Sequence, residues 1–199
     1  MASGFALSGM TGRAPMFKIV RTGTGRGKAR LKADAVLMPA DFQRIAEEAG
    51  RRRCLRARKT GFIAARQAAR RQVVETRWNG RETTNTARAG DWIVTNLTPG
   101  RKPLRDSDGR LNTYVIAAER FDGLYEPAGG EGEFGAIYRA RHAVEAIRFP
   151  GGFDIVASWG ERQTAPSGYL IFNGEDVYGN HAETFAATYD VVPARRSRT

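Results

Sequence analysis

The sequence predicts an α+β protein. Its plan is two tandem small β-rich units, barrel- or roll-like, each closed by a short C-terminal helix, behind a basic N-terminal extension. Three observations carry this plan. First, Ala118-Glu119-Arg120-Phe121-Asp122-Gly123-Leu124-Tyr125-Glu126 returns as Ala182-Glu183-Thr184-Phe185-Ala186-Ala187-Thr188-Tyr189-Asp190, with Tyr114 matching Tyr178 in the same register. Fixed-period self-similarity is the mark of a repeated structural unit. Second, runs of β-branched and aromatic residues bounded by Gly, Asn and Pro precede each copy, which is the pattern of strands. Third, charge is lopsided. The chain of 199 residues carries a net +11, yet residues 1–80 sum to +13 and the remainder to −2.

The elements follow in order. Residues 1–15 are rich in Gly, Ser and Ala, and Phe17–Val20 reads as a short strand. Thr22-Gly23-Thr24-Gly25-Arg26-Gly27-Lys28 invites a phosphate-loop reading, but Thr22 and Ala29 stand where that motif needs Gly and a hydroxyl residue, so a basic loop is expected. Val36–Met38 leads into a helix ending near Glu48, with Asp41 as a cap and Gly50 as a stop. Arg51-Arg52-Arg53-Cys54-Leu55-Arg56-Ala57-Arg58-Lys59 is the densest basic run, followed by Arg66, Arg70 and Arg71.

The first unit is expected to place strands at Phe62–Gln67, Val73–Trp78, Asp91–Asn96 and Thr113–Ile116, then a helix from Ala118 to Tyr125. The second has strands at Ile137–His142, Val144–Phe149, Phe153–Trp159, Tyr169–Phe172 and Asp176–Tyr178, then a helix from Ala182 to Tyr189. Upstream of the helices the expected matches are Ile93-Val94 with Ile155-Val156, Val74-Glu75 with Val144-Glu145, and Ala65-Arg66-Gln67 with Ala140-Arg141-His142. Phe121/Tyr125 and Phe185/Tyr189 stand four apart, which puts each ring pair on one helix face as a docking pin. Asn173-Gly174 marks a hairpin turn. Domain boundaries are expected at 1–59, 60–128, 136–192 and 193–199.

Ala65-Arg66-Gln67, the Val-Glu-Thr strand, Gly90-Asp91-Trp92-Ile93-Val94, Tyr114-Val115-Ile116 and Phe121…Tyr125-Glu126 together resemble the PGDYG-type domain of bacterial and phage proteins. The resemblance covers residues 61–127 and, more loosely, 137–191. It departs at the name motif, where Ala89 replaces Pro and Trp92 replaces Tyr. It implies a small β-rich fold with one helix, of bacterial or phage-related origin, and supplies no catalytic residue.

A hydrophobic fraction of 41% with 10% aromatics supports a packed core. The single cysteine, Cys54, excludes a disulfide framework within the chain and fits a cytoplasmic setting. No apolar run approaches the ~20 residues of a spanning helix, and the first ten residues lack the basic n-region of a signal peptide. The basic segment suggests a polyanionic partner, nucleic acid first, gripped by Arg51, Arg52, Arg53, Arg56, Arg58, Lys59, Arg66, Arg70 and Arg71. The same run also reads as a solvated linker. A protein partner is the further possibility. The polar insert Asn79–Thr86 is either an elongated hairpin or a ligand loop using Asn79, Arg81, Thr83 and Asn85, with Arg162 across the cleft between units. His181 beside Glu183, with Glu161, is the candidate acid–base set. Two histidines far apart without thiolates give no metal site, and no cofactor is implied.

Overall fold

The computed structural model describes residues 17–22, 28–78 and 81–193. In chain order the elements are β1 (Phe17–Thr22), β2 (Lys28–Val36), α1 (Pro39–Ala49), β3 (Cys54–Lys59), β4 (Ile63–Gln67), β5 (Gln72–Trp78), β6 (Arg81–Ala87), β7 (Trp92–Asn96) and β8 (Thr113–Ile116). There follow α2 (Ala118–Leu124), β9 (Tyr125–Gly132), β10 (Gly135–Ala140), β11 (Ala143–Phe149), β12 (Phe153–Val156), β13 (Arg162–Ala165), β14 (Gly168–Phe172), β15 (Val177–His181), α3 (Ala182–Thr188) and β16 (Tyr189–Val192). Local chemistry sets several boundaries. Pro39 opens α1, where a missing N–H costs nothing, and Asp41 accepts the Met38 backbone N–H at 2.9 Å. Gly50 ends the helix at φ +87°, donating its N–H back to Ala46. Asn173 Oδ1 accepts the N–H groups of Glu175 and Asp176, closing the β14–β15 hairpin.

Two five-stranded antiparallel sheets share one strand order. One runs β8-β7-β4-β10-β9 and the other β15-β14-β11-β3-β16. In each, a short helix links the outer strand on one side to the outer strand on the other: α2 joins β8 to β9, and α3 joins β15 to β16. Each also has a hairpin inserted at the same point of the chain path, β5–β6 between β4 and β7 and β12–β13 between β11 and β14. The fifth strand differs only in how it arrives. In the first sheet β10 follows β9 through a tight turn. In the second, β3 comes from the N-terminal side and slots between β11 and β16. The chain therefore crosses between the sheets twice, from β3 to β4 and from β10 to β11.

This arrangement corrects several expectations. Among the described residues no sheet closes into a barrel; all have free edges. The N-terminal region is no appendage. β2 pairs in parallel with β12, extending the inserted hairpin into a four-stranded sheet β1-β2-β12-β13. Leu31, Leu37, Phe42 and Ile45 are fully buried with Phe149, Phe153, Ile155 and Leu170 in one core. The expected boundary at residue 60 cuts the second sheet away from its own interior strand β3, and β10, expected to open the second unit, sits in the first sheet. Tyr114 and Tyr178 occupy the same place in the two strand orders, opposite Val94 and Ile171. The upstream matches do not. Ile155-Val156 lies in the inserted hairpin, and the strand that corresponds to β7 is β14. Short β-rich strings match in too many registers to fix alignment across inserted hairpins.

Elsewhere the core follows from side-chain periodicity. Phe121, fully buried, docks α2 on Ile63, Ala65 and Val94 and stacks on Trp92 at 4.0 Å. Phe185 docks α3 on Ala146 and Ile171 and stacks on Tyr169 at 3.9 Å. Gly168 and Gly179 make room for Phe153: a Cβ on Gly179 would lie 2.3 Å from its ring, and one on Gly168 2.6 Å.

Candidate functional site at the strand crossings

The two crossings lie side by side. The segment Arg58–Phe62 leaves the second sheet as Arg139–Arg141 leaves the first, and between them is a groove of about 360 Å³. Its basic groups are Arg58, Lys59, Arg139 and Arg141, and Glu126 is its acid. Strand alternation puts them there. In β3 Ala57 is fully buried while Arg56 and Arg58 point outward. Register makes Arg58 and Arg139 counterparts: Arg58 lies opposite Asp190 on β16, and Arg139 opposite Glu126 on β9. Glu126 accepts from Arg139 Nε at 2.7 Å and lies 3.6 Å from Arg141. Arg141 Nε also donates to the Tyr125 carbonyl at 3.0 Å, which fixes the guanidinium plane. Phe62 forms part of the wall, with the Arg101 guanidinium over its ring at 4.8 Å. The charge of the groove is positive, and its guanidinium groups are solvent-facing; Arg139 is 64% exposed and Arg141 41%.

Next to the groove, on the Lys59 side, two tyrosine pairs lie close together. Tyr114 and Tyr125 from the first sheet contact each other hydroxyl to hydroxyl at 3.3 Å, and Tyr178 and Tyr189 from the second do so at 3.4 Å. Lys59 reaches across from the second sheet to the first. Its Nζ donates to Asn96 Oδ1 at 2.7 Å, contacts the Tyr125 hydroxyl at 3.5 Å and sits 5.6 Å from that ring's centre. Asn96 is buried, and the same oxygen accepts the Tyr114 hydroxyl at 3.4 Å. Burial pushes the Tyr114 and Tyr178 phenols well above their usual range, and neighbouring tyrosines push them further. Burial raises Tyr189 too, with the Lys59 charge opposing. These three phenols are therefore neutral hydroxyls at physiological pH, able to donate as well as accept.

The residues singled out in the sequence are dispersed. Arg58 and Lys59 belong to this site. Arg56 is exposed on β3, opposite Glu145 on β11. Arg52 is exposed and Arg53 half-buried in the turn after α1; the side chain of Arg51 lies outside the described residues. Arg66, Arg70 and Arg71 are exposed around the β4–β5 connection, away from the groove lining. The polar insert is a hairpin, β5–β6, with Asn85 half-buried opposite Val74. Asn79 and the side chains of Arg81 and Thr83 lie outside the described residues. Arg162 forms a bidentate pair with Asp154 at 2.8 and 2.9 Å and contacts Asp34 at 3.4 Å, on the four-stranded sheet. His181 is the residue before α3, and Glu183 is exposed in its first turn. Glu161 accepts the Trp159 indole N–H at 2.9 Å. The Gln163 side chain accepts the Gly179 N–H, and the Ser167 carbonyl accepts the Ala182 N–H at the start of α3.

Sequence reasoning missed Arg139, Arg141, Glu126 and the tyrosine cluster. The signal that could have found the cluster is the Tyr/Tyr spacing shared by the two similar segments, Tyr114 with Tyr125 and Tyr178 with Tyr189. Comparison with protein-family models, with curated proteins and with solved structures finds no match to this chain.

Proposed function

We propose that the protein binds a phosphate-bearing polyanion, nucleic acid foremost, and that the groove at the strand crossings is where it grips. The single observation behind this reading is the convergence of Arg58, Arg139, Arg141 and Lys59 on one groove containing a single carboxylate. Guanidinium groups offer planar, paired donors suited to phosphate oxygens, and a groove needs no base-reading element to hold a backbone. The two sheets are, on this reading, two copies of one unit in tandem, with β3 from the N-terminal side completing the second copy, and the crossings mark the pseudo-symmetry axis. The PGDYG-type resemblance, with its small β-rich unit and single helix, is consistent with such a copy. No helix among the described residues is long and apolar enough to cross a membrane. A cytoplasmic setting is part of the proposal and rests on the single cysteine, which leaves no disulfide framework within the chain. The test is anisotropy of labelled single- and double-stranded oligonucleotides across a salt series. Binding with log affinity falling linearly in log salt is expected. Replacing Arg58 and Arg139 together by Ala should lower that slope by about 2, one for each phosphate no longer neutralised. Unchanged binding in the double variant refutes the groove as the grip.

A further inference from the structure

A second, smaller cavity of about 50 Å³ adjoins the groove, sharing Lys59 and Ala140 with it, and is also lined by His142, Tyr125, Tyr178 and Tyr189. Its origin is an asymmetry between the two sheets. Lys59 lies opposite Tyr189 at the start of β16, and Ala140 lies opposite Tyr125 at the start of β9. The two residues hold the same register position. Lys59 fills its place with a side chain that reaches Asn96 and Tyr125. On the other side Ala140 stops at Cβ, and the space that a second lysine would occupy is this cavity. A second ammonium there would also stand against the first, so an Ala at this position both opens room and avoids a like charge.

Lys59 is a half-buried cation whose described partners are an amide oxygen, a phenol and a ring face. No carboxylate among the described residues pairs with it. A half-buried cation with no carboxylate partner is stabilised by an anion that can reach it. The cavity leads to it. The bonded Tyr178/Tyr189 pair adds a hydroxyl donor, held neutral by burial. Leu124, Val144 and Ala140 supply an apolar wall. Since a water-sized group needs roughly 10–15 Å³ on this scale, the space takes about three to five heavy atoms. That is the size of a carboxylate with its first carbon or two; a tetrahedral phosphate is no larger, but with oxygens on every side it would set one against the apolar wall.

We propose that this cavity is a binding site for a small carboxylate on a short apolar stem, with Lys59 as its counter-charge and one hydroxyl of the bonded Tyr178/Tyr189 pair as orienting donor. The site adjoins the phosphate grip and shares Lys59 with it, but does not use Arg58 or Arg139.

The experiment follows tyrosine ring signals by two-dimensional NMR on the full chain labelled at tyrosine. Sodium propionate, inorganic phosphate and n-propylammonium chloride are added at matched ionic strength. Propionate should shift the Tyr178 and Tyr189 rings saturably, while phosphate and propylammonium leave them in place. Lys59→Met, which keeps the stem and removes the charge, should weaken propionate at least tenfold. Ala140→Lys, which fills the space, should abolish it, and Ala140→Met fills it without adding charge if the lysine variant fails to fold. Arg58→Ala/Arg139→Ala should leave the propionate titration unchanged while weakening oligonucleotide binding, so the two sites fail independently. Absence of saturable shifts with propionate overturns the proposal. So does binding that survives Lys59→Met, or a cavity that takes propylammonium or phosphate in place of propionate.

Discussion

Replacing Ala57 by Asp separates a solvated basic arm from an interior strand more sharply than any truncation. Ala57 lies in the densest basic run of the chain, between Arg56 and Arg58, yet it is fully buried in β3 beneath α3, packed with Val144, Ala146, Ile171 and Phe185. No cation belongs to that core. A carboxyl introduced there must either remain ionised in an apolar setting or take up a proton. Holding an Asp neutral at pH 7 means raising its pKa from about 3.9 to beyond 7, about three units at 1.36 kcal/mol each, so roughly 4 kcal/mol is lost. Total stabilities run at about 5–15 kcal/mol, so this is a severe lesion. The sign with pH is fixed. The folded pKa is raised, so the penalty is full at neutral pH and shrinks as pH falls toward the unfolded value near 4. Urea unfolding followed by circular dichroism at pH 7 and pH 5 measures both. The flanking changes Arg56→Ala and Arg58→Ala, on the outward face, should stay within about 0.5 kcal/mol. If Ala57→Asp is as mild as its neighbours, or its cost does not fall with acid, β3 is not an interior strand and the assignment of Arg58 to the groove collapses with it.

Three further expectations bear on the packing and the site. Gly179→Ala drives a Cβ to within 2.3 Å of the buried Phe153 ring, and overpacking of this kind should cost roughly 2 kcal/mol or more, read as a lowered urea midpoint with unchanged slope. Gly174→Ala, at a turn with open space but φ +102°, should cost about 1 kcal/mol through backbone strain alone. Tyr114, Tyr178 and Tyr189 carry raised phenols. Stability from these groups is therefore intact below pH about 10, the unfolded value, and is lost as pH climbs toward their folded values. A phenolate absorbance titration should show these late-titrating phenols appear together with unfolding; all the tyrosines titrating alike before unfolding would contradict the buried cluster.

What is legible in the sequence and what is not divide on physical lines. Phe121 and Phe185 announce their helices, but the rings expected to share the helix face, Tyr125 and Tyr189, stand just past each helix in extended backbone and open β9 and β16. β4, β5, β7, β8, β11 and β14 announce themselves through β-branched residues between turn signals. β3 does not, because a strand with Arg on its exposed face and only Ala57 and Leu55 inward is indistinguishable in composition from a solvated linker. β9, Tyr125–Gly132, is hidden by four glycines and prolines in eight residues, which usually argue against a strand. The site falls between these two blind spots. Arg58 is visible as charge but not as geometry. Arg139 and Arg141 give no signal of their own, because they lie in a near-neutral part of the chain and become a basic groove only where β10 crosses toward β11. Charge density along the sequence points to a kind of partner chemistry but to only part of the surface, since a groove at a crossing draws on residues about eighty positions apart.

The most direct measurement is a hydrogen-exchange footprint of the full chain with and without a saturating oligonucleotide at low salt. Slowed exchange is expected at Arg56–Phe62 and at Tyr138–His142, the two crossing segments, with the amides around Arg66, Arg70 and Arg71 unchanged. Protection confined to Arg66–Arg71, or to neither crossing, would contradict the groove as the place where this protein holds its partner.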